Sequence, residues 1–510
     1  MSDKENISSS ALKTAAGNFL SRLSGLLRDI LFAGYFGTGG TISAFLTALT
    51  FPNLARRIFG EGALTASFIP LLSDKINDNN QARSFASNIL SIATVLTSIL
   101  TVISIFICVI IIFFSTTYTQ TVTKLTAWLM PYMIFICLSA LLSGILNLKN
   151  SFTLPAISSV FFNIFLISGC IISPWLNLSQ DKNIYVLVAA VLLSGITQLL
   201  TLFFALRKSD FSLHWKPDFK SDGWISVKSL FIPAIIGASV TQLSVLSDRL
   251  IANFIGDHAV SSLYYAERLT YFPVGIFGVA LGVACLPYMS KAISTNDHRS
   301  LMDSLKFGLR QAFFLTLPCT LIFYLYHEDI LKTIFMRGKF DRESLKFSAL
   351  ALMYYLPGIP AFAAIKIILP FYFASKDTKT PVRVATICLL VNIVLGISLI
   401  PFLSHASLAF ATTAASYLNC SLLLIKSPNH DLKNSLMKIL VPVARTFFSC
   451  LSSCIIVYCM PWIELSNQSF WLITCILMMK IILSYLLFIC FHTLLGGKEL
   501  RELINRRNLT

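Results

Sequence analysis

Four arginines lie in a stretch dominated by apolar residues: Arg22, Arg28, Arg56 and Arg57, between Asn18 and Pro70. A guanidinium stays charged at any physiological pH, and inside a bilayer it costs at least roughly 2.5–3.5 kcal/mol on insertion scales. Such groups persist where they face a water-filled cavity or a partner charge. Nearby acids supply part of the balance. Arg22 and Asp29 are seven apart, on nearly one helical face, with Arg28 about a third of a turn round. Arg57 and Glu61 are four apart, the spacing at which side chains pair along an α-helix. Asp248-Arg249 and Glu267-Arg268 repeat the pattern further along, so six arginines face four acids. A pyrophosphate diester carries about two negative charges and takes bidentate contacts from guanidinium forks. Ion pairs that merely lock helices explain any single arginine equally well. They do not explain the surplus, and they explain the adjacent Arg56-Arg57 least of all. Lys366, Arg445 and Lys480 are weaker signals, the last two readable as side chains reaching for an interface.

The elements that must position these charges are membrane spans. The chain has 510 residues, 55% hydrophobic and 13% charged, with a mean hydropathy of +0.75; a soluble chain carries about 25% charged residues. Apolar runs of bilayer length, on the order of 20 residues, recur from end to end. The expected fold is an all-α polytopic membrane protein of about 14 helices, near 11–35, 41–73, 84–114, 124–148, 156–178, 184–206, 226–255, 261–290, 307–327, 346–374, 384–402, 406–425, 437–459 and 469–495. The opening MSDKENISSS is short and polar, and the arginine-bearing run after it is too long for a cleaved signal, so the first span is read as retained. With the N-terminus inside, about 24 of the 40 lysines and arginines fall in inner loops and about 7 in outer ones, which places both termini in the cytoplasm. The net charge of +16 is then largely a topology signal and implies no nucleic-acid partner. The 12 cysteines are scattered through apolar runs without a CxxC pair, so buried thiols are expected rather than a metal centre.

The chain also repeats itself. Leu49-Thr50-Phe51-Pro52 leads to Phe68-Ile69-Pro70-Leu71, and Leu269-Thr270-Tyr271-Phe272-Pro273 leads to Cys285-Leu286-Pro287-Tyr288, about 217 residues on. Copies six helices apart with one orientation predict two parallel six-helix lobes, 1–215 and 216–430. The segment 431–510, with the last two spans, stands outside the repeat. Transporters hold their substrates at such repeat interfaces, near the bilayer midplane.

Several blocks resemble the MurJ (MviN) family of lipid II flippases, within the multidrug/oligosaccharidyl-lipid/polysaccharide exporter superfamily. They are Ser21-Arg22-Leu23-Ser24-Gly25-Leu26-Leu27-Arg28-Asp29, the run Phe51-Pro52-Asn53-Leu54-Ala55-Arg56-Arg57-Ile58-Phe59-Gly60-Glu61-Gly62-Ala63, and Tyr264-Tyr265-Ala266-Glu267-Arg268-Leu269 with Phe272-Pro273 and Gly278-Val279-Ala280-Leu281-Gly282. Arg337-Gly338-Lys339-Phe340 and Lys376-Asp377-Thr378-Lys379-Thr380-Pro381 match as well. The resemblance implies a bacterial inner-membrane protein that is not an enzyme. It would carry lipid II, the undecaprenyl-pyrophosphate-linked disaccharide pentapeptide of peptidoglycan synthesis, across the membrane by alternating access. Arg22, Arg28, Arg56 and Arg268 would bind the pyrophosphate with Asp29, Arg57 and Glu61 beside them, and the last two helices would form a groove for the lipid tail. Membrane lipids and cell-wall synthases are the further partners it implies, and no cofactor beyond an ion.

Two positions depart from the family pattern. Ser43 stands where many relatives have an acid. Asp248, Asn392 and Thr412 match a sodium site of some relatives, but a carboxylate expected one turn after Asn392 is Gly396, and losing a hard anionic ligand weakens such a site. The rival readings are another exporter of the superfamily, moving drugs or lipid-linked oligosaccharides, and a non-transporting cell-wall assembly protein. A cation exporter should show acids in its cavity, whereas this set is net basic. A membrane transferase needs clustered acids for metal or proton transfer, and here they stand one per helix.

Overall fold

The computed structural model describes residues 3–115, 117–177, 179–295, 297–426, 432–462 and 470–504, and everything regular in them is helical. Among the described residues ten helices are long and apolar enough to cross a membrane, and an eleventh span results if the helices Tyr118–Leu129 and Tyr132–Leu148, bent by 42° at their junction, count as one. Three long helical stretches outside that set (residues 3–36, 40–73 and 222–255) are those carrying Arg22, Arg28 and Asp29, Arg56 and Arg57, and Asp248 and Arg249.

The chain divides into two compact units, the first comprising Met1–Ser261 with Arg337–Phe340 and the second Ser262–Met336 with Asp341–Thr510. In the first, α1 (Asp3–Phe36) precedes α2 (Gly40–Ala55), which runs through a π-helical segment, Arg56–Leu64, into α3 (Thr65–Ser73). Pro52 lies four residues before the π segment and Pro70 inside α3. A proline removes one backbone donor and crowds the preceding turn, and π turns are one way membrane helices satisfy the groups it frees. Then follow α4 (Asn79–Phe114), α5 (Thr117–Leu129), α6 (Tyr132–Leu148), α7 (Thr153–Ile172), α8 (Gln180–Lys208) and α9 (Asp222–Ile255). Leu72, Ile89, Leu141, Ile145, Leu202 and Leu206 form the core of one end of this unit, with Phe68 stacked on Phe85 at 5.7 Å. The chain from α8 to α9 is an extended strap on α4: the backbone N–H groups of His214, Lys216 and Asp218 donate to Ser87 Oγ, Ser91 Oγ and Asn88 Oδ1 at 3.0, 3.0 and 2.8 Å. The Arg337–Phe340 segment joins this unit through Lys339 N, which donates to Gly34 O at 2.8 Å.

In the second unit α10 (Ala259–Pro273) passes through a π-helical segment, Val274–Gly278, into α11 (Val279–Ser294). After α12 (His298–Leu325) comes α13 (His327–Phe335), a short amphipathic helix with Glu328 and Asp329 in its first turn. Sequence reading ends its ninth span at 327 and leaves α13 beyond its first residue as loop, because apolar length marks spans and not short amphipathic helices. Next come α14 (Arg342–Tyr355), a 3-10 turn, α15 (Ile359–Ala374), α16 (Lys379–Ser398), α17 (Ile400–Leu403), α18 (Ala406–Ile425), α19 (Leu432–Cys459), α20 (Phe470–Leu494) and α21 (Glu499–Ile504). Met289, Leu305, Ile367, Phe371, Val384 and Leu423 form its core. The last helix turns back: His492 Nε2 meets Glu499 Oε2 at 2.8 Å, and Gln311 Nε2 on α12 donates to Glu499 O at 3.2 Å. The chain holds twelve free cysteines, nine of them buried.

The Lys376–Pro381 block is explained by helix entry. Asp377 Oδ1 accepts from Lys379 N at 3.1 Å and Thr380 N at 3.0 Å, closing the first turn of α16. Hydrogen bonds from the Thr380 side chain first, then from the Thr380 backbone N–H, hold its carboxyl below the usual carboxylate range. Asp377→Ala should cost about 1 kcal/mol and Asp377→Ser much less, read as thermal unfolding in detergent. Because the folded carboxyl is the stronger acid, the difference should be full above the unfolded carboxyl's value of roughly 3.9 and fade as pH falls below it. A pH-independent difference would show that the cap acts through shape alone.

Candidate functional site

The site begins on α1. Gly17, Ser21 and Gly25 recur every four residues and let α1 lie close against α7; a Cβ at Gly17 would sit 2.7 Å from the Ala156 Cβ. Asn163 of α7 reaches across this seam. Its Nδ2 donates to Ser21 O at 3.0 Å and Ser24 Oγ at 2.9 Å, and its Oδ1 accepts from an Arg28 terminal nitrogen at 2.9 Å.

Arg28 and Asp29 are both buried, 5% and 1% exposed. Arg28 Nε and its second terminal nitrogen both donate to Asp29 Oδ1, at 2.9 and 2.7 Å. Phe32 and Phe162 present their rings to the guanidinium carbon at 5.6 and 5.5 Å, within cation–π range. Asp29 thus pairs the charge of Arg28, Asn163 takes one prong of its fork, and two rings flank it, which is how a guanidinium survives in a span. The acid one residue on is an ion-pair partner of Arg28.

The other arginines differ. Arg22 and Arg57 are exposed and Arg56 is half-buried. Arg57 reaches Gln242 Oε1 of α9 at 3.4 Å. The backbone from Arg57 to its expected partner Glu61 is π-helical. The Glu61 side chain lies outside the described residues. Arg249 is buried and donates to Val260 O at 3.0 Å. In the second unit Arg268 is exposed, donates to Tyr264 OH at 2.9 Å and lies 4.9 Å from that ring's centre. Lys480 sits 5.5 Å from the ring centres of both Tyr326 and Trp462, and Arg445 donates to Gly496 O at 2.8 Å.

At the position where many relatives have an acid, Ser43 is fully buried and donates to Ser261 Oγ at 3.0 Å. A carboxylate there would displace a neutral hydroxyl pair. For the sodium constellation, Asn392 Nδ2 donates to Thr412 Oγ1 at 3.2 Å within the second unit. Asp248 belongs to the first unit. At Gly396 a Cβ would meet Leu408 Cδ2 at 2.9 Å, so an apolar side chain stands where a carboxylate would start. Within the second unit Asn392 and Thr412 thus supply two neutral oxygens.

Sequence reasoning found the charges and missed their neutral partners, Asn163, Tyr264 and Gln242. A lone asparagine within the apolar run Ile157–Ile172 was the available signal.

Comparison with known proteins decides the family. The family model described as "Lipid II flippase MurJ" matches residues 32–473. The chain belongs to the MurJ family. It is 33% identical over 433 residues to "Lipid II flippase MurJ" of Burkholderia cenocepacia, covering 81% of this chain and 83% of that one. It is 30% identical over 431 residues to "Probable lipid II flippase MurJ" of Vibrio cholerae serotype O1, 81% of each. Among solved structures, "Lipid II flippase MurJ, inward closed conformation" superposes with a TM-score of 0.79 at 26% identity, covering 96% of this chain and 99% of that one. An inward-facing MATE transporter of the MOP superfamily, at 14% identity and a TM-score of 0.65 over 85% of this chain and 98% of that one, shares the fold. This MurJ-family chain is therefore a multi-pass membrane protein of transporter architecture.

Proposed function

We propose that this protein flips lipid II from the cytoplasmic to the periplasmic leaflet of the bacterial inner membrane by alternating access. The observation that carries the reading is the match to the lipid II flippase family over residues 32–473, joined to exposed guanidinium groups at Arg22, Arg57 and Arg268 on helices of an apolar chain. On this reading the chain crosses the membrane 14 times with both termini in the cytoplasm. Residues 1–215 and 216–430 form two parallel six-helix lobes, and 431–510 supplies two helices flanking the lipid tail. Arg22, Arg28, Arg56 and Arg268 take the pyrophosphate, with Arg57 adding charge. Transport needs no covalent step.

The test is reconstitution of the purified chain into vesicles holding lipid II, with the exposed head group read from the far side. Protein-dependent transfer is expected. Transfer of another lipid-linked oligosaccharide in its place would favour a different exporter of the superfamily, and transfer of neither would leave an assembly role.

Membrane potential is the coupling force that the charge pattern supports. Arg22, Arg28, Arg56 and Arg57 exceed Asp29 and Glu61 by two charges, and one charge crossing the full potential is worth about 2.3 kcal/mol per 100 mV. An empty cationic carrier is drawn towards the negative inside, and bound pyrophosphate cancels that pull. Flipping should collapse with a potential-dissipating ionophore and persist when sodium is replaced by potassium at fixed potential. Strict sodium dependence would overturn this and restore Asp248, Asn392 and Thr412 to the mechanism.

A further inference from the structure

We infer that Asn163 is a positioning residue for anion binding: from α7 it sets the fork of Arg28 and the register of α1. The inference rests on the reading of Arg28 as a diphosphate ligand.

The geometry is specific to an amide. Asn163 is 4% exposed and its three contacts, Ser21 O, Ser24 Oγ and Arg28, fall on α1 at positions i, i+3 and i+7, one face of the helix. Two of these need a donor from Asn163 and the third an acceptor. A guanidinium has donors only, so the amide oxygen must face Arg28 and the nitrogen must face the serines. No apolar residue meets either demand, and a carboxylate meets only one.

The neutrality of the amide matters as much as its shape. Asp29 already balances Arg28 with two hydrogen bonds. A second carboxylate on the fork would make the cluster net negative, and it would repel a diphosphate at close range. A carbonyl oxygen steers the same terminal nitrogen at 2.9 Å without adding charge. Asp29 thus supplies the compensation and Asn163 the direction. Phe162, the preceding residue on α7, lies 5.5 Å from the guanidinium carbon, so one turn of α7 sets both the plane of the fork and the aim of one prong.

A role confined to gluing α1 to α7 makes different predictions, and equilibrium binding separates the two. The probes are farnesyl diphosphate and farnesyl monophosphate, titrated into the full chain purified in detergent. Thermal unfolding without ligand is measured in parallel. Asn163→Leu keeps the branched skeleton without its polar atoms and should weaken diphosphate binding about tenfold, as loss of one well-aimed charge-assisted hydrogen bond would, with monophosphate binding changed about twofold or less. Asn163→Asp keeps an acceptor towards Arg28 and should bind the diphosphate more weakly still. In a background carrying Arg28→Ala with Asp29→Ala, Asn163→Leu should have no further effect on diphosphate binding, because the group it positions is gone. Wild-type diphosphate affinity in either Asn163 variant overturns the inference. So does an equal loss for both lipids, or the same loss with and without Arg28, since helix packing alone predicts those results. Wild-type diphosphate binding by the Arg28→Ala, Asp29→Ala protein is a separate outcome: it removes Arg28 as a ligand, and the inference falls with the reading beneath it. Should Asn163→Leu fail to fold, Asn163→Asp carries the test.

Discussion

Arg28→Ala will abolish lipid II transport, and the protein that carries it will also be harder to fold. From sequence alone the substitution removes a ligand and leaves insertion intact. Burial changes that expectation. Asp29 is 1% exposed and takes two hydrogen bonds from Arg28, so removing the cation strands a carboxylate in the interior, a change worth about 3–5 kcal/mol. Arg28→Ala with Asp29→Ala removes the pair as a unit and should restore membrane abundance without restoring transport. Arg28→Lys should fail as well. A lysine ammonium is a point charge without a planar fork; it cannot serve Asp29 and Asn163 together while lying between the rings of Phe32 and Phe162. Complementation of a flippase-depleted strain, scored beside membrane abundance, separates the two losses. Full complementation by Arg28→Lys would show that net charge suffices.

Gly282→Ala is the second large effect. Gly278, ending the π-helical segment, and Gly282 in α11 lie four apart where this stretch crosses α15, the spacing that lets membrane helices touch backbone to backbone. A Cβ on Gly282 would stand 2.2 Å from the carbonyl oxygen of Lys366. Neither atom can rotate away, so the helices must part and the cluster around Ile367 and Met289 must open. Overpacking typically costs about 1–3 kcal/mol, and more when backbone is involved. At Gly278 the nearest atoms, Ala363 Cα and Cβ, would be 3.0 and 3.1 Å away, a smaller shift. At Gly25 the nearest is Asn163 Nδ2 at 3.7 Å, an ordinary contact. The fraction of monodisperse protein surviving heat in detergent should therefore fall in the order Gly25→Ala, Gly278→Ala, Gly282→Ala. A Gly282→Ala protein as heat-resistant as Gly25→Ala would mean that α11 and α15 do not cross so closely.

Helix placement was legible because apolar length is written directly in the sequence. Apart from α13, the observed helices from α1 to α20 overlap the expected stretches, and the family motifs led to the family that the comparisons show. Hydrogen-bond pattern was not legible. Nothing in the apolar count marks the turn between Leu129 and Tyr132 where α5 and α6 bend by 42°, nor α13 beyond the end of α12. At the site, charged side chains announce themselves because they are costly in an apolar run. Their neutral partners do not: Asn163, Tyr264 and Gln242 belong to residue types that membrane helices carry for many reasons. The arginines also divide by environment, Arg28 clasped and Arg22, Arg57 and Arg268 exposed, and only side-chain packing separates the two kinds.

The π-helical segments alter how experiments along these helices must be read. Arg56–Leu64 follows Pro52, and Val274–Gly278 follows Pro273 directly. Accessibility mapped by labelling successive positions from Gly40 to Ser73 will keep α-helical rhythm to Ala55, slip out of phase through the wide turns, and resume it in α3 at a new angular setting. The same slip should recur between α10 and α11. A regular α-helical wheel drawn through either stretch would assign the residues beyond the break to the wrong side, and the slip itself, seen twice at the two prolines, is the solution signature by which labelling would reveal these wide turns.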